Sequence, residues 1–324
     1  MKYLHYFTIL YTILLFGCSK AKDKFPDEIP QDFYRIDYRA TSQRLIEEHT
    51  YGGFGVVSRG PNGEPKHQGE ALIWGGTALW ALPCDMAQNI SLEMARMVHR
   101  GEGAIVRVDP LGEYEGGREV SFDGFTGLIL GISRRITDCG ELDLWIDPFT
   151  KLLAYQKSYD NKMHPNVPQK IFGEFVYIRD LIGSYLNIIQ KPSDDRLIDL
   201  EKMIGGWAFA VRTAHVTGKG SDACFRVNLG LSTFLAAETL GKSISQKGRD
   251  QFCESTKDMS IPSVDHWCGR ENIKSYIDSY VEDQYEYRLQ RCGYESQDGK
   301  DNKSPRLDKI VAYVLAYGWS NLQF

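Results

Sequence analysis

The chain has 324 residues, of which 42% are hydrophobic and 25% are charged, a balance typical of a folded globular protein. Its formal net charge at pH 7 is −5. This charge gives no support to a nucleic-acid partner, which would require a concentrated basic face. Length and composition therefore predict one large domain or two small ones that fold around an apolar core.

The N-terminus has the organisation of a secretory signal. Lys2 supplies a basic start, residues 3–16 form an almost uninterrupted apolar run, and Leu15-Phe16-Gly17-Cys18 ends it. The run is shorter than the about 20 residues that a membrane-spanning helix needs. Leu-x-Gly-Cys resembles the lipobox of bacterial lipoproteins. An ordinary signal peptide or a membrane anchor with an incidental cysteine is the alternative.

The lipobox resemblance implies that Cys18 carries lipid, including palmitate, and becomes the first residue of the mature protein. The chain would then have the membrane as a partner, through several acyl chains on Cys18. Ser19 stands where an inner-membrane retention signal usually has Asp. By analogy this implies the outer membrane of a Gram-negative cell. We expect residues 1–17 to be the signal peptide, 18–31 a polar tether, and 32–324 one helical domain.

Six cysteines remain once Cys18 is set aside. An even number in an exported chain predicts disulfides, although six cysteines allow 15 connectivities and the sequence does not choose among them. Buried free thiols are the alternative. No CxxC or His/Cys spacing typical of zinc sites occurs, so we expect no metal and no cofactor. The six are Cys84, Cys139, Cys224, Cys253, Cys268 and Cys292.

Apolar residues recur mostly at helical spacing along the rest of the chain. A short strand at 54–58, followed by a turn at 59–65, predicts a small β-hairpin. Asp147-Pro148 predicts a break within the segment 142–159, because proline removes a backbone donor. The predicted helices are 32–49, 69–82, 91–100, 121–136, the two parts of 142–159, 171–189, 195–211, one from 227 that is ended by Gly241, 273–289 and 307–315. The fold class predicted is therefore all-α or nearly so.

Two similar segments contain the main chemical hypothesis. In residues 67–79 and in residues 121–131 an acid, Glu70 or Asp123, precedes a glycine-containing apolar helix pattern. Both segments resemble helix starts in six-hairpin (α/α)-toroid proteins of the glycosidase-like superfamily. This resemblance implies helical hairpins arranged as a toroid, with acids at its mouth. Phe122 stands where these families often have Arg before the Asp.

Glu70 and Asp123 are the candidate catalytic pair. Glycoside cleavage needs two carboxyl groups, separated by roughly 5–5.5 Å for retention of configuration or about 6.5–9.5 Å for inversion. One of the two must have a raised pKa to act as an acid. The alternative is that each acid only stabilises the N-terminus of its own helix.

The remaining candidates are binding residues. His67 and Arg118 precede the two acids and would contact a hydroxylated or anionic ligand. The run Asp265-His266-Trp267 places an acid–base pair beside an aromatic ring suited to a sugar face, or else it belongs to a disulfide-bonded loop. Trp74, Trp80 and Trp207 lie in apolar helices and are predicted to be core residues.

Two function classes remain open from the sequence. One is a lipoprotein enzyme that cleaves glycans, as a hydrolase or lyase, or binds them through the carboxylate pair. The other is a non-catalytic envelope lipoprotein that binds a partner or serves as a scaffold.

Overall fold

Helical segments dominate the folded chain, as the apolar spacing predicts. The structure, a computed structural model, describes residues 38–59, 62–66, 71–105, 122–161, 175–216, 223–259, 261–270, 310–311 and 314–315. The helices are α1 Tyr38–His49, α2 Ala71–Ala81, α3 Gln88–Arg100, α4 Phe122–Thr137, α5 Leu142–Ser158, α6 Val176–Tyr185, α7 Asp195–Val216, α8 Ala223–Thr239, α9 Gln246–Ser255 and α10 Pro262–Trp267. The mostly helical class is thus confirmed.

Two short antiparallel strand pairs follow α1. β1 (Thr50–Tyr51) pairs with β2 (Gly55–Val56), and β3 (Ser58–Arg59) pairs with β4 (Pro65–Lys66). Gly63 has a positive φ of 81° in the loop between β3 and β4, a backbone angle that glycine adopts without steric cost. The predicted turn after a short strand is therefore confirmed, and it belongs to a hairpin.

Helices α2 and α4 form the centre of the core and touch at their backbones. A methyl group built on Gly76 would lie 1.9 Å from the Gly127 carbonyl oxygen, and one on Gly127 would lie 2.4 Å from the Ile73 Cα. Every residue of α2 is buried, and so is every residue of α4 from Gly124 to Ile136. Glycines are required here because any side chain would force the two helices apart.

The glycine contacts also fix the relative direction of the two helices. Gly124 lies against Leu72, Gly127 against Ile73 and Gly131 against Leu79. The contacting residue numbers therefore increase together along the two helices, so α2 and α4 are parallel. Neighbouring Gly75 serves a different contact, since a methyl group there would lie 2.2 Å from the Phe54 carbonyl oxygen in the turn before β2. The Gly75-Gly76 pair thus lets backbone approach α2 from two sides.

The C-terminal ends of these helices are joined by buried arginines. Arg134, on α4, donates hydrogen bonds to the carbonyl oxygens of Trp80 and Leu82, and Arg135 donates to that of Cys84. These carbonyls lie at and just beyond the end of α2, where the backbone lacks intrahelical donors. Arg135 also forms an ion pair with Glu141. The residues Trp80, Leu82, Cys84, Arg134, Arg135, Cys139 and Thr239 are called the C-terminal pole below.

Two disulfides are present among the described cysteines, which confirms the prediction of disulfide bonding. Cys84–Cys139 links the segments that follow α2 and α4, and Cys253–Cys268 links α9 to the residue after α10. The side chains of Cys224 and Cys292 lie outside the described part of the chain. The first bond closes the C-terminal pole covalently.

Alternate helices share directions elsewhere as well. The Trp80 indole donates a 3.0 Å hydrogen bond to Thr239, so α8 ends beside α2 at the C-terminal pole. In the surrounding layer, α3 and α5 run in the same direction, because Ser91 near the start of α3 contacts Trp145, whereas Gly103, just after α3, lies against the backbone of Lys151. Consecutive helices α7 and α8 are antiparallel, with Asp194 paired to Lys242 across their ends.

Helix α5 corrects the prediction of a break at Pro148. The helix runs without interruption from Leu142 to Ser158. Trp145, Phe149 and Leu152 are fully buried on one face that continues across the proline. Burying three such side chains stabilises the helix by roughly 1.5–3 kcal/mol each, which outweighs the about 3 kcal/mol that an interior proline costs.

Other boundaries also differ from the predictions. Helix α6 ends at Tyr185, short of the predicted 189, because Asn187 takes a positive φ of 58° and Ile188 N–H bonds back to the Gly183 carbonyl. Helices α9 and α10 were not predicted. The predicted helix 273–289 lies outside the described residues, and only 310–311 and 314–315 of the last one are described, all helical. Among the described helices, none has the length and hydropathy needed to cross a membrane.

Candidate functional site

The parallel packing of α2 and α4 brings their first residues to one end of the molecule. A methyl group on Gly124 would lie 3.1 Å from the Leu72 Cδ2 atom, so the second residue of α2 and the third of α4 are in contact. Ala71, Leu72, Phe122, Asp123 and Gly124 are called the shared N-terminal end below. It lies at the opposite end of the helix pair from the C-terminal pole.

Asp123 is half-buried in the first turn of α4. A carboxylate there is favoured by the partial positive charge of the helix N-terminus. The other predicted acid, Glu70, immediately precedes Ala71 in the chain but lies outside the described residues, as do His67, Arg118 and Cys18. Of the two acids, only Asp123 lies in the described part of the chain. The start of α2, which follows Glu70, lies beside it.

An aromatic cluster adjoins Asp123. Phe122 meets Phe175 at a ring-centroid distance of 4.3 Å and an interplanar angle of 88°. Trp207, from the middle of α7, meets both rings edge to face at 6.5 and 6.4 Å. Phe175 is buried, whereas Phe122 and Trp207 are only half-buried. These three rings, the aromatic triad below, give the shared N-terminal end a partly exposed aromatic surface.

Sequence reasoning missed the aromatic triad. Trp74 and Trp80 are buried, as predicted, but Trp207 is only half-buried and is core only in part. Its contact with Phe122 joins positions 85 residues apart in the chain, so no local spacing could reveal it. A weak signal is Gly206, an exposed glycine inside a helix beside a large ring.

The predicted binding run Asp265-His266-Trp267 lies elsewhere and is mostly internal. Trp267 is 6% exposed; its ring stacks on Phe234, and the Arg249 guanidinium lies over it at 4.0 Å. The Trp267 indole donates to Glu238. Because its faces are covered by protein groups, the ring is not presented to a ligand in this structure.

The two polar residues of this run have internal roles too. Asp265 is buried and forms an ion pair with Arg270 at 3.1 Å. Burial lowers the pKa of His266, partly opposed by a hydrogen bond to the Leu315 backbone. Together with the Cys253–Cys268 disulfide, these contacts hold α10 against α9. This arrangement agrees with the alternative given for the sequence, that the run belongs to a disulfide-bonded segment.

Comparisons were made with protein-family models, curated proteins and solved structures, and none gives a significant match. Within the described residues, no three His, Cys, Asp or Glu side chains are grouped as a metal ion would require.

Proposed function

We propose that the protein is an exported lipoprotein, anchored to a membrane through Cys18, whose helical domain cleaves glycans at the shared N-terminal end. The observation that supports this most is the parallel packing of α2 and α4. It brings Asp123 to the same end as Ala71, the residue that follows Glu70. Antiparallel helices would have separated the two acids by the length of a helix, about 16 Å for the 11 residues of α2.

The proposed fold is an (α/α) toroid of helical hairpins. In such an arrangement inner helices share one direction, outer helices share another, and consecutive helices alternate between layers. Parallel α2 and α4, parallel α3 and α5, and antiparallel α7 and α8 all agree with this pattern. The inner helices would then begin at a common mouth, which is where Asp123 lies.

The proposed chemistry assigns one carboxyl group to protonate the glycosidic oxygen and the other to act as base or nucleophile. The half-buried aromatic triad would lower the local dielectric and so favour the protonated form of a nearby acid. Aromatic walls with a few polar groups are also the usual composition of a small-molecule site.

The test uses the full-length chain in detergent micelles and a panel of neutral and acidic polysaccharides, with release of new chain ends as the readout. We expect Asp123→Asn and Glu70→Gln each to lower the rate by about 10²–10⁴-fold, the usual contribution of an acid–base group. Asp143→Asn is the matched control, because Asp143 is an exposed acid in the first turn of α5.

Two results would contradict the enzyme proposal. Equal rates in the wild type and in both site variants would mean that the acids only stabilise helix starts. A wild type that cleaves no polysaccharide would also refute the enzyme proposal, and glycan or partner binding would then be the remaining role.

The lipid anchor is tested separately. The proposal is supported by the lipobox-like run that ends at Cys18 and by disulfides typical of an oxidising compartment. Bacteria expressing the wild-type chain should incorporate labelled palmitate into it, and a Cys18→Ser chain should incorporate none. Outer-membrane placement predicts that the labelled protein sediments with the denser membrane fraction of a Gram-negative host. Labelling of the Cys18→Ser chain would refute the assignment.

A partner-binding lipoprotein is the second candidate, and one observation favours it. Ile198 and Phe209 are 50% and 60% exposed and lie 11 residues apart on α7, which places them on the same face of that helix. Exposed apolar side chains on one helix face can anchor that helix to a protein partner. A chain with both residues changed to Ser should lose a partner captured by chemical cross-linking in intact cells, while glycan cleavage stays unchanged.

A further inference from the structure

We propose that Trp207 is the sugar-binding surface of this site, receiving the apolar face of a pyranose ring beside Asp123. The inference deepens the glycan function proposed above and rests on it. It assigns a specificity-determining role to a residue of α7, a helix that contains neither of the candidate acids.

Trp207 differs from the other tryptophans of the described chain. Trp74, Trp80, Trp145 and Trp267 are each at most 6% exposed, whereas Trp207 is half-buried. The indole N–H groups of Trp80, Trp145 and Trp267 donate to Thr239, Ser91 and Glu238. Within the described part of the chain, the Trp207 indole donates to no residue. In this proposal the Trp207 indole N–H donates to a hydroxyl group of the ligand.

The Trp207 ring is held in place. Phe122 and Phe175 meet it at interplanar angles of 76° and 83°. Edge-to-face contacts of this kind contribute about 0.5–1.5 kcal/mol each beyond burial of their area. A ring fixed before binding loses little conformational entropy when a ligand arrives. The aromatic triad is thus a preorganised surface.

The residue before Trp207 leaves part of the α7 surface without a side chain. A methyl group built on Gly206 would meet no atom within 4 Å, and this residue is exposed. This open part of the α7 surface lies about 100° around the helix from Trp207.

The neighbouring acid selects the class of ligand. Phe122 contacts Trp207 and is followed in the chain by Asp123, so the indole lies beside the first turn of α4, which contains the half-buried acid. A pyranose offers C–H groups to the aromatic face and hydroxyl donors to the carboxylate. A nucleotide would also stack, but its phosphates would be repelled by the acid and by the net charge of −5. A neutral glycan fits both features.

The experiment measures binding of neutral hexasaccharides of the cellulose, chitin and mannan series to the full-length chain in detergent micelles, by titration calorimetry. For each hexasaccharide that the wild type binds, Trp207→Ala should raise Kd by at least about 10-fold, and Trp207→Tyr should raise it less. Tyr185→Ala is the matched control, since Tyr185 is an exposed aromatic residue at the end of α6 and belongs to neither proposed binding surface. We expect its Kd to equal that of the wild type.

The outcomes separate the inference from the function on which it rests. If Asp123→Asn weakens binding and Trp207→Ala does not, the glycan function stands and the role of Trp207 is refuted. If the wild type binds no hexasaccharide, both fail. Trp207→Leu keeps an apolar side chain in the triad, so it replaces Trp207→Ala in the same comparison if the alanine variant does not fold.

Discussion

Two buried arginines, Arg134 and Arg135, donate hydrogen bonds to backbone carbonyl groups. Arg134 is almost fully buried, and burial lowers its pKa to about 10, which still leaves it charged at neutral pH. The N–H groups of Arg134 and Arg135 replace the water that the carbonyl oxygens of Trp80, Leu82 and Cys84 would otherwise bind at and beyond the end of α2. A pair of adjacent arginines near the end of an apolar helix thus has a structural function here.

Two histidines, buried His49 and half-buried His266, give the fold a predictable response to acid. Burial lowers the pKa of His49 below 6.5, although its bond to the Val57 carbonyl and the nearby Glu48 partly oppose this. Burial likewise lowers the pKa of His266. Each folded-state pKa lies below the unfolded value of about 6.5. The unfolded state therefore binds more protons between these values, and stability falls as pH decreases through that window.

We expect the free energy of unfolding to decrease below about pH 6.5, by at most about 1.4 kcal/mol per pH unit for each histidine. Urea unfolding at intervals from pH 7.5 to pH 5 measures the slope. The His49→Asn and His266→Gln double variant keeps hydrogen-bonding side chains that do not titrate, so its slope should be smaller. An unchanged slope in the double variant would assign the acid response to other groups.

At the scale of helices, the contact between α2 and α4 depends on glycine at three positions. Gly76, Gly127 and Gly131 let the backbones meet, and the meeting keeps the two helices parallel. Since overpacking costs typically 1–3 kcal/mol even where side chains can adjust, a methyl group that meets backbone should cost at least that much. The shared N-terminal end depends on the same contact.

We therefore expect Gly76→Ala to destabilise the protein by about 3 kcal/mol or more. Gly206→Ala, the matched control, should stabilise it by about 0.5–1 kcal/mol, because alanine is the better helix former and the added methyl meets no neighbour. Chemical unfolding of both variants measures the difference. Equal effects of the two changes would show that the helices do not meet at Gly76.

The helices of the core were predictable because apolar residues recur in them many times at helical spacing. Predicted helices 69–82 and 121–136 match the observed Ala71–Ala81 and Phe122–Thr137 closely. Helix α9 was missed because it is polar, with Phe252 as its one large buried side chain. Its start depends on Glu201 of α7, which accepts hydrogen bonds from Ser245, and its end on Cys253–Cys268. Such distant partners leave no trace in local spacing.

The candidate site was predictable to a similar extent. The acid at the start of α4 follows from the capping and dipole preferences of helix ends, which are local. To predict the parallel contact of α2 and α4, the glycine patterns of the two helices would have had to be matched across 51 positions, from Gly76 to Gly127. The contribution of Trp207 depends on packing between α7 and the first turn of α4, which composition and periodicity do not encode.

At the scale of the whole molecule, the two ends of the α2–α4 pair differ in how they are held. The C-terminal pole contains a disulfide, two buried arginines and an ion pair to Glu141. The shared N-terminal end contains a half-buried acid and partly exposed rings. A rigid scaffold that supports a less enclosed site is a common arrangement in functional proteins. The pole would then determine stability, while the opposite end determines activity.

This division predicts the effect of removing Cys84–Cys139. The bond spans 55 residues, so loop-closure entropy gives it about 4 kcal/mol of stabilisation, against about 3 kcal/mol for Cys253–Cys268, which spans 15. Changing both cysteines of the first pair to Ala should lower the free energy of unfolding by more than changing both of the second. At temperatures where the first variant stays folded, hexasaccharide binding should match that of the wild type. Weakened binding by that folded variant would mean that the two ends are coupled, and the division proposed here would be wrong.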